Sequence, residues 1–110
     1  MTPAIPKRFL PHSFTLIIET DSGAWGSTSV DEIEVSNVRI DLEDNGPSTI
    51  FFDAKNSTPH DINFSLTGGG RKRLSVRIED TVYLIEKIDY LYAEDILHHL
   101  EITLGNGRAA

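Results

Sequence analysis

The sequence predicts an all-β fold, a small antiparallel β-barrel or sandwich of six to seven short strands, and three observations support this class. From Ser13 onward, short runs of β-branched and aromatic residues alternate with polar residues in steps of two. Gly, Pro, Asn and Asp separate these runs, as in sandwiches and barrels. Only Tyr90–Leu97 could be helical, for one turn at most. With 110 residues, the chain forms one domain.

Each strand follows from the alternation of apolar and polar side chains. The predicted strands cover 14–19, 33–42, 49–54, 62–67, 74–79, 82–88 and 98–104. In the second run the apolar phase slips, which predicts a bulge near Ser36 and Asn37. Residues 49–54 are apolar on both faces and should lie centrally or under a neighbouring element. Residues 82–88 should be well covered for the same reason.

The two ends of the chain have a different character from this β segment, which we place at 13–104. Residues 1–12 contain Pro3, Pro6 and Pro11, which remove backbone donors and favour an extended arm over a helix or an interior strand. Residues 105–110 read as a flexible tail.

Composition restricts the possible functions. Asp and Glu number 17 and Lys and Arg number 10, for a formal net charge of -7, which argues against a dedicated duplex-DNA binder. The absence of Cys excludes disulfides, thiolate zinc sites and cysteine nucleophiles. No stretch of eighteen apolar residues and no signal peptide is present, so we expect synthesis in the cytoplasm and no membrane contact.

No catalytic, cofactor or metal motif stands out, and we predict that the protein is not an enzyme. His98 and His99 are adjacent on a strand, where side chains point to opposite faces, so regular β geometry would not let both bind one metal ion. The glycine-rich segment at 68–70 lacks the spacing and the following helix of a phosphate-binding loop.

Two segments are candidates for partner contacts. Gly69, Gly70, Arg71, Lys72 and Arg73 form a basic loop that either contacts a partner or a nucleic-acid backbone, or is a solvated hairpin tip. Trp25, flanked by glycines, either closes the core or anchors an interface.

Three segments carry a family resemblance. Residues Ile5–Ser13, Phe51–Ser57 and Leu97–Ile102, in this order and spacing, resemble three markers of the phage minor capsid proteins. These small proteins belong to the head-to-tail region of long-tailed bacteriophages and are related in kind to head-completion or stopper proteins. The resemblance covers nearly the whole chain.

The resemblance implies a virion structural protein at the head-tail junction. It would form a ring of six or twelve subunits below the portal or an adaptor, complete the DNA-filled head, and provide the attachment site for a tail-terminator or tail-completion protein. Genomic DNA would pass through without sequence-specific binding. Residues 19–53 contain nine acids and one base, Arg39, and part of this segment is expected to line the channel.

A closed ring requires contacts between two different patches of neighbouring subunits. The residues expected at that interface are Pro6, Phe9, Leu10, Pro11 and Trp25. Phe9 and Leu10 are the apolar anchors that a lone subunit would not bury. The alternative function is a small barrel that binds nucleic acid or a peptide through the basic loop and the aromatic side chains of Tyr90 and Tyr92.

Overall fold

The computed structural model is a closed barrel of six antiparallel strands, which confirms the predicted all-β class. It describes residues 5–21, 28–43, 48–59, 62 and 71–109. The strands are β1 (His12–Asp21), β2 (Thr28–Asp41), β3 (Ser48–Asp53), β4 (Arg71–Ile78), β5 (Thr81–Ala93) and β6 (Ile96–Ala109). Their order around the barrel is β1-β2-β3-β6-β5-β4.

The barrel interior is filled by apolar side chains that recur at every second residue of the strands. They are Phe14, Leu16, Val35, Val38, Ile50, Phe52, Leu74, Val76, Leu100, Ile102 and Leu104. Burial of each large apolar side chain stabilises the fold by roughly 1.5–3 kcal/mol relative to exposure. β3 pairs with β2 on one side and β6 on the other, as every strand of a closed barrel has two neighbours, so the barrel has no central strand.

The predicted bulge in the second strand is confirmed at Asn37. Ser13 pairs with Ser36, whereas the preceding His12 pairs with Val38, so Asn37 is the extra residue. Its φ of 56° lies in the left-handed region, which Asn tolerates better than most residues. The bulge lets Val35 and Val38 both point into the core despite their odd spacing.

A long hairpin, β5–β6, extends beyond the other strands at one end of the barrel. β4 pairs with β5 only over Thr81–Leu84, and β3 pairs with β6 only over His99–Leu104. Between the two strands, Glu94 and Asp95 both have positive φ values of 52° and 66°, the geometry of a type I′ turn. The helical turn considered for Tyr90–Leu97 is therefore wrong, because this segment is strand, turn and strand.

Three further expectations require correction. Residues 105–109 are not a flexible tail, because β6 continues to Ala109 and pairs with Thr81–Tyr83. Arg71, Lys72 and Arg73 are not in a loop, because they form the start of β4 opposite Glu19–Asp21. The coverage expected for β5 is also wrong, since none of its side chains is fully buried.

The arm is shorter and more ordered than expected. His12 already belongs to β1, and Lys7–Phe9 form a short 3-10 turn that is closed by a hydrogen bond from the Phe9 amide to the Pro6 carbonyl (2.9 Å). The strand predicted at 62–67 lies outside the described residues, apart from Ile62, which packs against the core. In the described part of the chain, no helix is long and apolar enough to cross a membrane.

Candidate functional site

The three segments that carry the family resemblance meet at one end of the barrel. β3 brings Asp53 to this end, opposite His99 of β6. The Ala54 amide, directly after β3, donates to the His98 carbonyl (3.1 Å). The arm reaches the same place through Ile5, whose amide donates to Asp53 Oδ1 (2.9 Å). Residues separated by almost a hundred positions therefore form one connected unit.

Asp53 is the centre of this unit. Its side chain is fully buried and accepts three backbone hydrogen bonds: Oδ1 from Ile5, and Oδ2 from Lys55 (3.0 Å) and Asn56 (2.7 Å). The last two bonds make an Asx-type turn after β3. Hydrogen bonds to a charged acceptor are stronger than neutral ones, so this carboxylate offsets the cost of its own burial and holds the arm to the turn.

Ser57 connects the same turn to the bulge of β2. Its hydroxyl accepts from the Asp53 amide (2.8 Å) and donates to the Asn37 carbonyl (2.6 Å), and the side chain is buried. Ser36 and Thr58 exchange two backbone bonds beside it (2.8 and 3.0 Å). The bulge thus leaves backbone groups of Ser36 and Asn37 available to bond with Thr58 and Ser57 in the turn after β3.

The arm packs on the outside of its own barrel. The Asn56 side-chain amide donates to the Ile5 carbonyl (2.8 Å), and His12 Nδ1 accepts from the Ile40 amide (3.0 Å). Leu10 is only 2% exposed. The expectation that Leu10 needs a neighbouring subunit for its burial is therefore wrong, because the barrel surface of the same chain covers it.

Beside the arm lies an open cleft of about 240 Å³, which we call the arm cleft. It is lined by Ile5, Phe9, Leu10, Arg39, Asp41 and Phe51. Phe9 is 50% exposed, and the Arg8 guanidinium lies 4.8 Å from the centre of its ring. Arg39 and Asp41 form an exposed ion pair (3.3 Å) at the rim. The cleft thus combines apolar walls with one lining arginine, Arg39, and a second arginine over the ring of Phe9.

The two histidines contact each other, contrary to the sequence-based expectation. His98 Nδ1 and His99 Nδ1 are 2.8 Å apart, and the rings meet edge to face. Alternation fails here because β6 has an extra residue: Leu91 pairs with His99, but Tyr92 pairs with Leu97. His99 Nε2 lies 3.4 Å from Glu101 Oε2. Within the described ranges, no three His, Asp or Glu side chains come together as a metal site.

Acidic residues of β1 and β2 lie near basic residues of β4. Glu32 accepts from Arg77 at 2.6 Å, and this hydrogen bond together with the positive charge lowers the pKa of Glu32. The basic start of β4, Arg71–Arg73, pairs in register with Glu19–Asp21 of β1. Several of the acids at 19–53 therefore have basic neighbours or, like Asp53, bind backbone amides.

The other predicted site residues are placed as follows. Pro6 and Pro11 are exposed at the two ends of the 3-10 turn, and Arg73 is exposed on β4 while Lys72 is half-buried. Trp25, Gly69 and Gly70 lie outside the described residues. The contact roles of these residues stay predictions.

Sequence reasoning missed Asp53 and Ser57 as the fastening points of the arm. A signal was present: an acid directly after the apolar run 50–52, followed by Ala, Lys, Asn and Ser, is typical of an Asx turn. It also missed Ile96, which is 63% exposed at the end of the β5–β6 hairpin, because the segment was considered for a helical turn. Comparisons with protein-family models, curated proteins and solved structures find no match.

Proposed function

We propose that this chain is a structural subunit of the head-tail connector of a long-tailed bacteriophage. In this proposal it assembles into a ring below the portal or an adaptor, closes the DNA-filled head, and provides the attachment site for the tail. Its role is that of a scaffold, with no reaction of its own.

One observation carries the proposal. The three segments that resemble the markers of phage minor capsid proteins are joined by direct hydrogen bonds at Asp53 and His98, although they are far apart in the sequence. Residues that resemble the family and also contact one another in the fold support a shared architecture better than similar residues scattered over the molecule. The unit fixes a proline-rich arm on the outer surface of a closed barrel, where it is available to other chains.

Exposed apolar side chains support an oligomeric structural role. Phe9 is 50% exposed in the arm cleft, and Tyr92 and Ile96 are 64% and 63% exposed near the β5–β6 turn. Large exposed apolar side chains close together mark protein-protein contacts more often than solvent-facing surface. The barrel is closed between β1 and β4, so this seam offers no free sheet edge for another chain.

The charge distribution is compatible with DNA that passes without adhering. The chain carries a net charge of -7, and in the strand register Arg73 stands opposite Glu19. A net negative charge opposes binding to DNA, because that binding depends on positive charge that displaces counterions from the phosphates. An electrically negative passage would repel DNA and permit its ejection.

Electron microscopy of phage particles made without this chain tests the proposal. We expect DNA-filled heads that lack tails or lose DNA, and normal particles when the wild-type gene is supplied in trans. A second measurement, sedimentation velocity of the purified full-length chain over a range of concentrations, should reveal a closed ring species. Normal, tailed particles in the absence of the chain would contradict the proposal.

A nucleic-acid-binding or peptide-binding barrel is the second candidate, and the exposure of Tyr90 (45%) and Tyr92 (64%) on β5 favours it. Such aromatic rings can stack on bases of single strands. Binding of single-stranded DNA that weakens steeply with salt and is lost in Tyr92→Ala would support this function. No binding at low salt would reject it.

A further inference from the structure

Two exposed surfaces of different shape lie on the outside of the barrel. One is the arm cleft on the outer face of β2 and β3. The other is the end of the β5–β6 hairpin, residues 90–97, which we call the hairpin tip. The cleft is a depression with apolar walls, whereas the hairpin tip extends beyond the ends of β3 and β4.

The hairpin tip exposes an unusual amount of apolar surface. Tyr90, Tyr92 and Ile96 are 45%, 64% and 63% exposed, and they lie within seven consecutive residues. Tyrosine and isoleucine at this density are typical of the buried centre of an interface. Covering this tip with another surface removes apolar area from water and therefore stabilises the contact.

We propose that the hairpin tip of one subunit docks in the arm cleft of the next subunit of the ring. This inference rests on the proposed function and names the contact that closes the ring. The occupant of the cleft is therefore a second copy of this chain, and the contact is between two different surfaces.

The sizes of the two surfaces match. The cleft has a volume of about 240 Å³, below the roughly 300–1,000 Å³ typical of sites for small organic ligands. It can accept one or two side chains. Phe9 and Phe51 give it aromatic walls, against which a tyrosine ring packs favourably.

The charges of the two surfaces are complementary. The hairpin tip carries two acids, Glu94 and Asp95, at its turn, and residues 90–97 include no Lys or Arg. Arg39 lines the cleft beside Asp41, and the Arg8 guanidinium lies over the ring of Phe9, which also lines the cleft. Complementary charge at the rim speeds association and selects the correct orientation.

The two surfaces lie on different strands of the barrel. The arm cleft is on β2 and β3, whereas the hairpin tip is at the turn between β5 and β6. A contact between two different surfaces of neighbouring copies is heterologous, and such contacts close into a ring when the rotation between neighbours divides a full turn.

Cross-linking between two single-cysteine variants tests the contact directly, because the wild-type chain contains no cysteine. Asp41→Cys places a thiol at the cleft, and Ile96→Cys places one at the hairpin tip. With a short thiol-specific cross-linker, we expect a covalent dimer when the two variants are mixed and little dimer with either alone. A dimer formed by Ile96→Cys alone, or no dimer in the mixture, would overturn the proposal.

A truncation of the hairpin tip provides an independent measurement. Tyr92→Ala should raise the protein concentration needed for half-assembly by about tenfold, the effect of losing one interface hot spot. Val30→Ala is the matched control, because Val30 is 55% exposed near the opposite end of β2. Equal assembly of Tyr92→Ala and the wild type would contradict the proposal.

The outcomes separate this contact from the function on which it rests. Rings that form without the mixed cross-link, and that tolerate Tyr92→Ala, would reject the docking of the hairpin tip and leave the connector ring in place. A chain that remains monomeric at every concentration and is dispensable for tail attachment would reject both.

Discussion

At the scale of single residues, the arrangement around Asp53 depends on a carboxylate that accepts and never donates. All three of its partners, the amides of Ile5, Lys55 and Asn56, are donors. A carboxylate has lone pairs for all of them, whereas an amide side chain would replace one acceptor oxygen by a donor. The identity of this residue is therefore restricted by chemistry as well as by size.

Asp53→Asn should destabilise the protein although it is nearly isosteric. The NH₂ group of Asn would take the place of either Oδ1 or Oδ2 and would face a backbone N–H. Buried donors would then lack an acceptor, at a cost of about 2–3 kcal/mol. Urea denaturation followed by circular dichroism measures this loss. Asp31→Asn, at an exposed position of β2, is the control and should change the unfolding free energy by less than about 0.5 kcal/mol.

The Glu32–Arg77 pair makes a prediction about pH. Hydrogen bonding and the charge of Arg77 lower the pKa of Glu32 in the folded protein from its ordinary value of 4.5. The pair therefore stabilises the fold fully above pH 4.5, and this contribution is lost as the pH falls through the lower folded value.

The stability difference between the wild type and Glu32→Gln should accordingly be largest near pH 7 and disappear at the acid end. Urea midpoints measured from pH 7 down to pH 2 check this. The difference should also shrink in 1 M salt, because both side chains are solvent-accessible. A difference that grows on acidification would contradict the assignment.

At the scale of elements, the pairing of β5 with the end of β6 depends on close approach at glycine. A Cβ on Gly107 would lie 2.6 Å from both Thr81 Cγ2 and Tyr83 Cε1. A Cβ on Gly105 would meet Glu86, with the carboxylate oxygen at 2.9 Å. The Glu86 side chain is exposed and flexible, whereas Tyr83 packs against the core and has less freedom to move.

Gly107→Ala should therefore destabilise the hairpin by about 1–3 kcal/mol, the usual cost of overpacking. Gly105→Ala is the matched variant and should cost less, because the end of the Glu86 side chain can turn away. Thermal unfolding of the two variants in parallel compares them. Equal melting temperatures, or a larger loss for Gly105→Ala, would show that the β5–β6 pairing is different.

At the scale of the whole molecule, the arm contributes both to folding and to assembly, and two adjacent residues each serve one of these roles. Leu10 is 2% exposed and contributes to the fold, while Phe9 is 50% exposed in the arm cleft. Complete removal of residues 1–10 would also remove the Ile5–Asp53 hydrogen bond, so that deletion would confuse folding with assembly.

Leu10→Ala should lower the free energy of unfolding by about 2–4 kcal/mol, as expected for a buried leucine. Phe9→Ala should change it by less than about 1 kcal/mol but weaken self-association. Denaturant titration together with sedimentation velocity distinguishes the two effects. Strong self-association of Phe9→Ala with unchanged midpoints would remove Phe9 from the interface.

The alternation of apolar and polar residues determined the all-β class and the bulge at Asn37. These features depend on local geometry: side chains alternate strictly along a strand, so a slip of phase in the sequence requires an extra residue in the structure. Glu79 and Asp80, which separate two alternating runs of the sequence, form the turn between β4 and β5.

Only the tertiary structure decided which surfaces the arm, the histidines and the basic residues contact. Leu10 is buried because barrel closure brings the outer faces of β2 and β3 under the arm, and no local pattern contains that information. His98 and His99 meet because β6 has an extra residue opposite β5, and strand register depends on both partners. Periodicity acts over neighbouring residues, whereas these contacts depend on how six strands are staggered when the barrel closes.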